Sequence, residues 1–134
     1  MARKTKSQRI EASEKQWLFF YILFQMSQKR SEISGKPIKG ELNSCWFHHI
    51  YPKSLYPDLR YCAENIIIVT SDEHARIESG EVFEEVELRK KKIEQNYEQL
   101  VKDTKLYESD FLNPVYEHAK QNTTFFKKTT NHEV

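Results

Sequence analysis

The first strong hydrophobic pattern in the chain lies near its amino terminus. Good helix formers dominate from about Arg9 to Gln28 without glycine or proline, and residues 17–26 are apolar on nearly every side. A helix with apolar residues all round is usually buried on more than one side. We therefore predict an N-terminal helix inside the core, preceded by a frayed basic arm over residues 1–8.

Turn and strand signals occupy the middle of the chain. Gly35, Pro37 and Gly40 predict a turn or a short hairpin. Residues 45–50 combine aromatic and β-branched side chains and predict a short strand. Residues 65–70, Asn-Ile-Ile-Ile-Val-Thr, are the strongest strand signal, with four consecutive aliphatic β-branched residues between polar ends. The connection between these strands has two prolines and no helical period, and a loop of this length in a compact domain is usually functional.

A short helix is predicted directly after the second strand. Ser71 is a suitable N-cap, and two acidic residues follow it where the helix dipole favours negative charge. We expect this helix to span residues 72–79 and Gly80 to end it.

The carboxyl-terminal half has a long helical pattern rich in charge. One helix is predicted from about Val82 to Glu108, and a short helix over residues 115–121. Residues 122–134 are expected to form a loose tail. The inward positions of the long helix are expected to be Val82, Val86, Ile93, Leu100 and Val101.

Length and composition place these elements in one domain. The chain has 134 residues, 38% of them hydrophobic, with two Trp, seven Tyr and eight Phe. This is enough apolar material for a modest core and too much for a disordered chain. We predict a single α+β domain over residues 1–134.

The charge distribution changes the picture more than the net charge of +1 does. Residues 1–40 carry nine Lys and Arg against three acidic residues, so the remainder of the chain is acidic overall. A basic amino-terminal third is what a surface for phosphate backbones would have, although a solubilising arm would have the same charge.

Neither the cysteines nor the apolar run directs the chain out of the cytoplasm. Cys45 and Cys62 form no CxxC pair, and we expect both to be reduced. The apolar run over residues 17–24 is too short for a membrane span, and it lies too deep and lacks the cleavage site for a signal peptide. A cytoplasmic protein without a membrane partner is expected.

Residues with catalytic chemistry occur at the end of the first strand and in the helix after the second. His48 and His49 are adjacent, and Asn65 follows 16 residues after His49. His74 and Glu78 are four residues apart, which puts both on one face of a helix. Because adjacent strand residues point to opposite faces, we expect His48 to face the helix and bind metal, and His49 to face a substrate cleft.

This set of residues suits phosphodiester hydrolysis. A neutral histidine can take a proton from water near pH 7, and a divalent cation can stabilise charge on the phosphate. Each residue alone is better explained by a structural role, such as a half-buried strand histidine or a solvated acid. Their joint order and spacing indicate a site.

Residues 45–80 resemble the motif of the HNH (ββα-metal, His-Me finger) endonucleases. They run Cys-Trp-Phe-His-His-Ile-Tyr-Pro-Lys-Ser and later Glu-Asn-Ile-Ile-Ile-Val-Thr-Ser-Asp-Glu-His-Ala-Arg-Ile-Glu. The family includes colicin nucleases, homing endonucleases and many phage-encoded enzymes, and the layout is similar to small phage proteins. The resemblance implies a ββα-metal finger of two short antiparallel strands plus a helix, flanked here by the N-terminal helix and the long C-terminal helix.

The resemblance also implies a role for each matching residue. It makes His48 the first metal ligand, His49 the general base and His74 the second metal ligand. Asn65 becomes the catalytic-site residue that pins the intervening loop and orients the base. Glu78 stands where the family often has His or Asn, and it becomes a further metal ligand.

A reaction and a substrate follow from the same resemblance. It implies one divalent cation, with Mg²⁺ expected and Mn²⁺, Ni²⁺ or Zn²⁺ as alternatives that two histidines also suit. The substrate would be DNA, with RNA not excluded, and the products would have 5′-phosphate and 3′-hydroxyl ends. Lys53, Arg60 and Arg76 lie near the motif and are expected to bind nucleic acid through its phosphates. One site nicks one strand, so double-strand cleavage would need a homodimer or two encounters.

The chain departs from many HNH proteins because it lacks the flanking cysteine pairs of a structural zinc. The turn over residues 31–37 resembles a zinc knuckle whose cysteines are replaced by serines. This leaves a structural zinc without its usual ligands and does not affect the catalytic ion.

Two other classes of protein fit the same residues. A nucleic-acid-binding module could keep the ββα finger without turnover, although His49 then has little purpose. A structural metal-binding or interaction protein, with the long helix mediating oligomerisation, would have a closed and fully liganded metal site, whereas a catalytic site keeps positions open for water and phosphate.

Overall fold

A computed structural model of the protein describes residues 5–122 and Phe126, and its fold is α+β. Residues 1–4 of the predicted arm and most of the predicted tail over 122–134 therefore lie outside the described residues, whereas residues 6–8 of the arm are helical and not frayed. The helices and strands are α1 (Lys6–Met26), β1 (Phe47–His49), β2 (Ile66–Ile68), α2 (Ser71–Glu78), α3 (Glu84–Gln95), α4 (Tyr97–Tyr107) and α5 (Asn113–Asn122). Short 3₁₀ turns lie at Ser44–Trp46, Pro57–Leu59 and Ala63–Asn65, and a π-helical turn at Glu108–Leu112.

Helix α1 begins earlier than predicted because Thr5 and Gln8 form a capping box. The Thr5 hydroxyl accepts the backbone N–H of Gln8 at 3.2 Å, and the Gln8 side chain accepts the backbone N–H of Thr5 at 2.9 Å. The helix is not buried all round, since Tyr21 and Met26 are exposed. Its buried residues are Leu18, Phe19, Phe20 and Phe24.

Strands β1 and β2 pair in an antiparallel sheet that is covered on both faces. His48 lies opposite Ile67, with Phe47 opposite Ile68 and His49 opposite Ile66. Ile66 and Ile68 pack in one apolar cluster with α1, and Ile67 packs in a second cluster with α3. Burial on both faces explains why β2 is apolar at every position instead of alternating.

The first apolar cluster joins α1, the sheet and the carboxyl-terminal helices. The ring of Phe20 stacks on Phe47 with centroids 4.3 Å apart, and Phe24 stacks on Trp46 at 5.3 Å. Tyr116 of α5 is almost fully buried in the same cluster. The ring of Phe126 is 5.4 Å from that of Tyr116, so this residue of the predicted tail belongs to the core.

The predicted turn around Gly35 is confirmed and is tied to helix α2. An antiparallel bridge pairs Arg30 with Pro37 across the turn. The hydroxyl of Ser31 accepts the backbone N–H of Ile33 at 3.0 Å and donates to Glu73 Oε1 at 2.6 Å. Burial opposes ionisation of Glu73, but hydrogen bonds led by that from Ser31 outweigh it and lower the pKa of this carboxyl.

The N-cap of α2 is Thr70, whereas the sequence had led us to predict Ser71. The Thr70 hydroxyl accepts the backbone N–H of Glu73 at 3.1 Å, and the Glu73 carboxylate accepts the N–H of Thr70 at 2.7 Å. This reciprocal capping box satisfies two N–H groups, whereas Ser71 as N-cap would have no acid or amide three residues on. Gly80 has a positive φ of 100° directly after the helix, as expected for its end.

The prediction of one long C-terminal helix from Val82 to Glu108 was wrong. Phe83 caps a helix that starts at Glu84, and the chain breaks at Asn96 with φ −124° and ψ 21°. The Asn96 amide donates to the carbonyl of Lys92 at 2.9 Å, a local side-chain bond that competes with helix continuation. Val82 is 72% exposed and was also predicted wrongly, because it precedes the helix. Val86 and Ile93 are buried as expected.

Within the described part of the chain, none of the helices combines the length and apolar character needed to cross a membrane.

Candidate metal centre

Strand β1 and helix α2 bring His48, His74 and Glu78 together. Because His48 pairs with Ile67, its side chain lies on the sheet face opposite to that of Phe47 and α1. On the four-residue spacing in α2, His74 and Glu78 lie one turn apart. The capping box at Thr70 fixes the start of that helix and therefore the position of both side chains.

The distances in this cluster suit a bound cation. His74 Nε2 lies 3.3 Å from Glu78 Oε1, and His48 Nδ1 lies 3.8 Å from the same oxygen. One ligand atom from each residue lies within 4.8 Å of the other two. Ligands about 2.1 Å from a tetrahedral ion are roughly 3.4 Å apart, so two imidazoles and one carboxylate fit the donor set of a divalent transition ion.

One side of the cluster is open to solvent. The side chain of Glu78 is 62% exposed, whereas those of His48 and His74 are 15% and 24% exposed. Burial, and next the proximity of His74, lower the pKa of His48, and Glu78 partly opposes them. His48 is therefore neutral near pH 7, as a metal ligand must be.

His49 lies on the other face of the sheet, beside helix α1. Its ring is 5.9 Å from that of Phe20, and its Nε2 is buried without a hydrogen-bond partner among the described residues. Burial, followed by the charges of Lys53, His48 and Arg60, lowers the pKa of His49 to about 4. The imidazole is thus unprotonated at neutral pH. A buried polar atom without a partner costs free energy, and a functional role is one explanation for keeping it.

Asn65 pins the connection between the strands to the sheet. Its Oδ1 accepts the backbone N–H of Tyr51 at 2.8 Å, and its Nδ2 donates to the Tyr51 carbonyl at 2.9 Å. Its own carbonyl accepts the N–H of Ile50 at 2.9 Å. Asn65 is fully buried, and these three bonds hold the chain within two residues of His49.

Lys53 and Arg60 converge on one residue of helix α1. Lys53 Nζ donates to Gln16 Oε1 at 2.9 Å, and Arg60 Nε donates to the same oxygen at 3.2 Å. Gln16 is four residues before Phe20, so both lie on the α1 face that meets His49. Two cations predicted to bind phosphate are therefore neighbours on the His49 side.

Arg76 lies apart from this pair of cations. Its guanidinium forms ion pairs with Glu81 and Asp72 and lies over the ring of Phe83 at 5.0 Å. Its neighbours are therefore residues of α2 and of the segment after it.

Sequence reasoning missed two residues near the site. Gln16 was treated as part of a core helix, and its contact with Arg60 joins positions 44 residues apart. Lys90 of α3 lies close enough to His48 to contribute to lowering its pKa. Helical spacing could have placed Gln16 and Phe20 on one face, but no signal in the sequence paired that face with Lys53 or Arg60.

Comparison with known proteins gives no relative: no family model, no curated protein and no solved structure matches the chain.

Proposed function

We propose that this protein is a metal-dependent endonuclease that hydrolyses DNA phosphodiester bonds with a ββα-metal finger built from β1, β2 and α2. The observation that carries the proposal is the convergence of His48, His74 and Glu78 from two elements, within 4.8 Å of one another. It is supported by the neighbouring histidine on the opposite face of the strand, beside two cations.

The proposed division of labour follows the two faces of β1. His48, His74 and Glu78 would hold one divalent cation; Mg²⁺ is the ion that the resemblance implies, and Mn²⁺, Ni²⁺ or Zn²⁺ are alternatives that two imidazole ligands also suit. When bound, such a cation supplies charge stabilisation at the phosphate and at the departing oxygen. The exposure of Glu78 favours a catalytic site over a closed structural one.

His49 is the proposed general base. Its Nε2 takes a proton from water while the water oxygen attacks phosphorus, and the bond from phosphorus to the 3′ oxygen breaks. The 3′ oxygen takes a proton from solvent, which leaves 5′-phosphate and 3′-hydroxyl ends. Lys53 and Arg60 bind the substrate phosphate in exchange for Gln16, and Asn65 positions the loop that carries Lys53.

One observation favours a second candidate function, a nucleic-acid-binding module without turnover. The Nε2 atom of His49 is covered in the described structure, and a general base must contact the water that it activates. The two candidates share the cation site and the phosphate contacts and differ only in hydrolysis.

Plasmid nicking separates the two candidates. Supercoiled DNA is incubated with the protein and Mg²⁺ or Mn²⁺, with EDTA, and with the variants His49→Ala and His118→Ala. We expect metal-dependent conversion to open circles that falls about 10²- to 10⁴-fold in His49→Ala. His118 is an exposed histidine of α5, and its variant should keep full activity. If supercoiled plasmid, branched DNA and RNA all stay intact with every metal, the nuclease is rejected and the binding module remains.

A further inference from the structure

A pocket of about 390 Å³ opens between the segment that follows β1 and the junction of helices α3 and α4. Three tyrosines, one carboxylate and one aliphatic side chain line it: Tyr51, Tyr56, Tyr97, Glu94 and Ile93. The volume lies within the range of sites for small organic ligands, roughly 300–1,000 Å³. The proposed nuclease gives none of these five residues a role.

The backbone holds the tyrosines of this pocket in place. Asn65 forms hydrogen bonds with both the N–H and the carbonyl of Tyr51. The backbone N–H of Tyr56 donates to the carbonyl of Pro52 at 2.9 Å, and Tyr97 is the first residue of α4. Because these positions are fixed without a ligand, binding would require little ordering of the chain.

The pocket presents accessible aromatic surface. The rings of Tyr51 and Tyr56 have centroids 5.0 Å apart, with their planes at 61°. Tyr56 and Tyr97 are each 37% exposed, so part of each ring faces solvent. The face of an aromatic ring attracts cations, and several rings around one space form the kind of cage that binds organic cations.

The charge of the pocket is negative. Oε1 of Glu94 accepts the hydroxyl of Tyr51 at 2.6 Å, and among the described residues no lysine or arginine forms an ion pair with this carboxylate. A hydrogen bond from a neutral phenol leaves the carboxylate charge in place. Burial, and next the hydrogen bond to Glu94, raise the pKa of Tyr51 to about 12, and the negative charge of Glu87 adds to the effect.

A cation without hydrogen-bond donors suits these walls best. Guanidinium and primary ammonium groups carry several N–H donors, and each donor that loses water needs an acceptor. Glu94 already accepts one hydrogen bond within the pocket. A quaternary ammonium group has no N–H to satisfy, and both the ring faces and the carboxylate attract it. A nucleotide could stack on the same rings, but its phosphate would be repelled by Glu94 and Glu87.

We propose that this pocket binds a quaternary ammonium group against the rings of Tyr56 and Tyr97, beside the carboxylate of Glu94. The inference goes beyond the proposed function and does not rest on it, because the pocket shares no residue with the cluster of His48, His74 and Glu78. Choline and the trimethyllysine of a modified protein both carry this group, and titration with each distinguishes the two sources.

Matched ligands test the charge of the occupant. Choline, or its uncharged analogue with carbon in place of nitrogen, is added to the full chain in EDTA, and the tyrosine ring resonances are followed by NMR. We expect choline to shift the resonances of Tyr56 and Tyr97 and to bind at least about fivefold more tightly than the analogue, as cation–π contacts with two rings provide. Equal affinity for the two ligands would overturn the proposal.

A pair of peptides tests the source of the group. A short neutral peptide with one trimethyllysine is compared with the same peptide carrying unmodified lysine, which has the same charge. We expect the trimethylated form to bind at least about threefold more tightly, because only the unmodified ammonium must give up hydrogen bonds to water. Tighter binding of this peptide than of choline assigns the site to a modified protein, and the reverse assigns it to a small molecule. No shift with either ligand, or equal binding of both peptides, would contradict the proposal.

Variants identify the walls. Glu94→Gln keeps an acceptor for the Tyr51 hydroxyl and removes the charge, whereas Glu85→Gln makes the same change nine residues earlier, on the opposite side of α3. We expect affinity for the tighter-binding ligand to fall at least about threefold in Glu94→Gln and in Tyr56→Leu, and to be kept in Glu85→Gln and in Tyr56→Phe. Unchanged affinity in folded Glu94→Gln and Tyr56→Leu variants would reject this pocket as the site.

These titrations are independent of the nicking assay. Binding of choline or trimethyllysine by a protein that never nicks DNA supports the pocket and rejects the nuclease. Metal-dependent nicking by a protein that binds neither ligand supports the nuclease and rejects the pocket.

Discussion

The two faces of the small sheet surround adjacent histidines with opposite kinds of neighbour. On the face toward α2, His48 meets a second imidazole and the exposed carboxylate of Glu78. On the face toward α1, His49 meets the ring of Phe20 and the positive charges of Lys53 and Arg60. One step along a strand therefore separates the proposed cation site from the proposed phosphate site.

The largest expected effect is on metal affinity, and it should distinguish His48 from His49. His48→Ala removes a ligand, and we expect Mn²⁺ affinity to fall at least about 100-fold, which exceeds the usual loss of an outer-shell partner. His49→Ala should leave Mn²⁺ affinity unchanged, because its side chain lies on the other face. Isothermal titration of both variants, with His118→Ala as control, measures the difference. Equal losses in His48→Ala and His49→Ala would mean that the faces do not divide these roles.

A smaller effect concerns Asn65, which ties the segment between the strands to the sheet. Asn65→Ala leaves the N–H and the carbonyl of Tyr51 without their partners, and we expect the free energy of unfolding to fall by about 2 kcal/mol. Urea denaturation followed by tryptophan fluorescence measures it. Asn96→Ala removes an exposed amide and should change stability by less than about 0.5 kcal/mol. Similar small losses in both variants would show that the loop is held by other contacts.

The smallest expected effect is on the salt dependence of DNA binding, and it tests which cationic side chains contact phosphate. Removing one phosphate contact should lower the slope of log affinity against log salt by about 0.9 for duplex DNA. We expect this change for Lys53→Gln and for Arg60→Gln, and none for Arg76→Gln, whose guanidinium is paired with Asp72 and Glu81. Fluorescence anisotropy with a labelled oligonucleotide at several salt concentrations gives the slopes. A slope lowered only in Arg76→Gln would move the phosphate site to the α2 side.

Local patterns predicted the parts of the fold that local chemistry determines. The run Ile66–Val69 identified the second strand, and the four-residue spacing of His74 and Glu78 put both on one helical face, as the structure has them. The opposite orientation of His48 and His49 followed from the geometry of a strand alone.

Other features depend on competition or on contacts distant in sequence. Asn96 lies within an otherwise regular helical pattern, and only its bond to the Lys92 carbonyl shows why the helix ends there. Thr70 and Ser71 are both good caps, and Glu73 decides between them through a reciprocal pair of bonds. The contact of Gln16 with Lys53 and Arg60 needs the packing of α1 on the sheet, which no local pattern contains.

The turn at Ser31 has a consequence for the stability of the fold toward oxidants and chelators. Where a knuckle of thiolates would bind zinc, a hydroxyl joins this turn to the carboxylate of Glu73 and to backbone amides. Oxidants attack thiolates and chelators remove metals, but neither has a target in such a joint. Removing the proposed active-site cation should therefore leave the protein folded. A chelator would then inhibit the proposed activity reversibly and would not denature the protein.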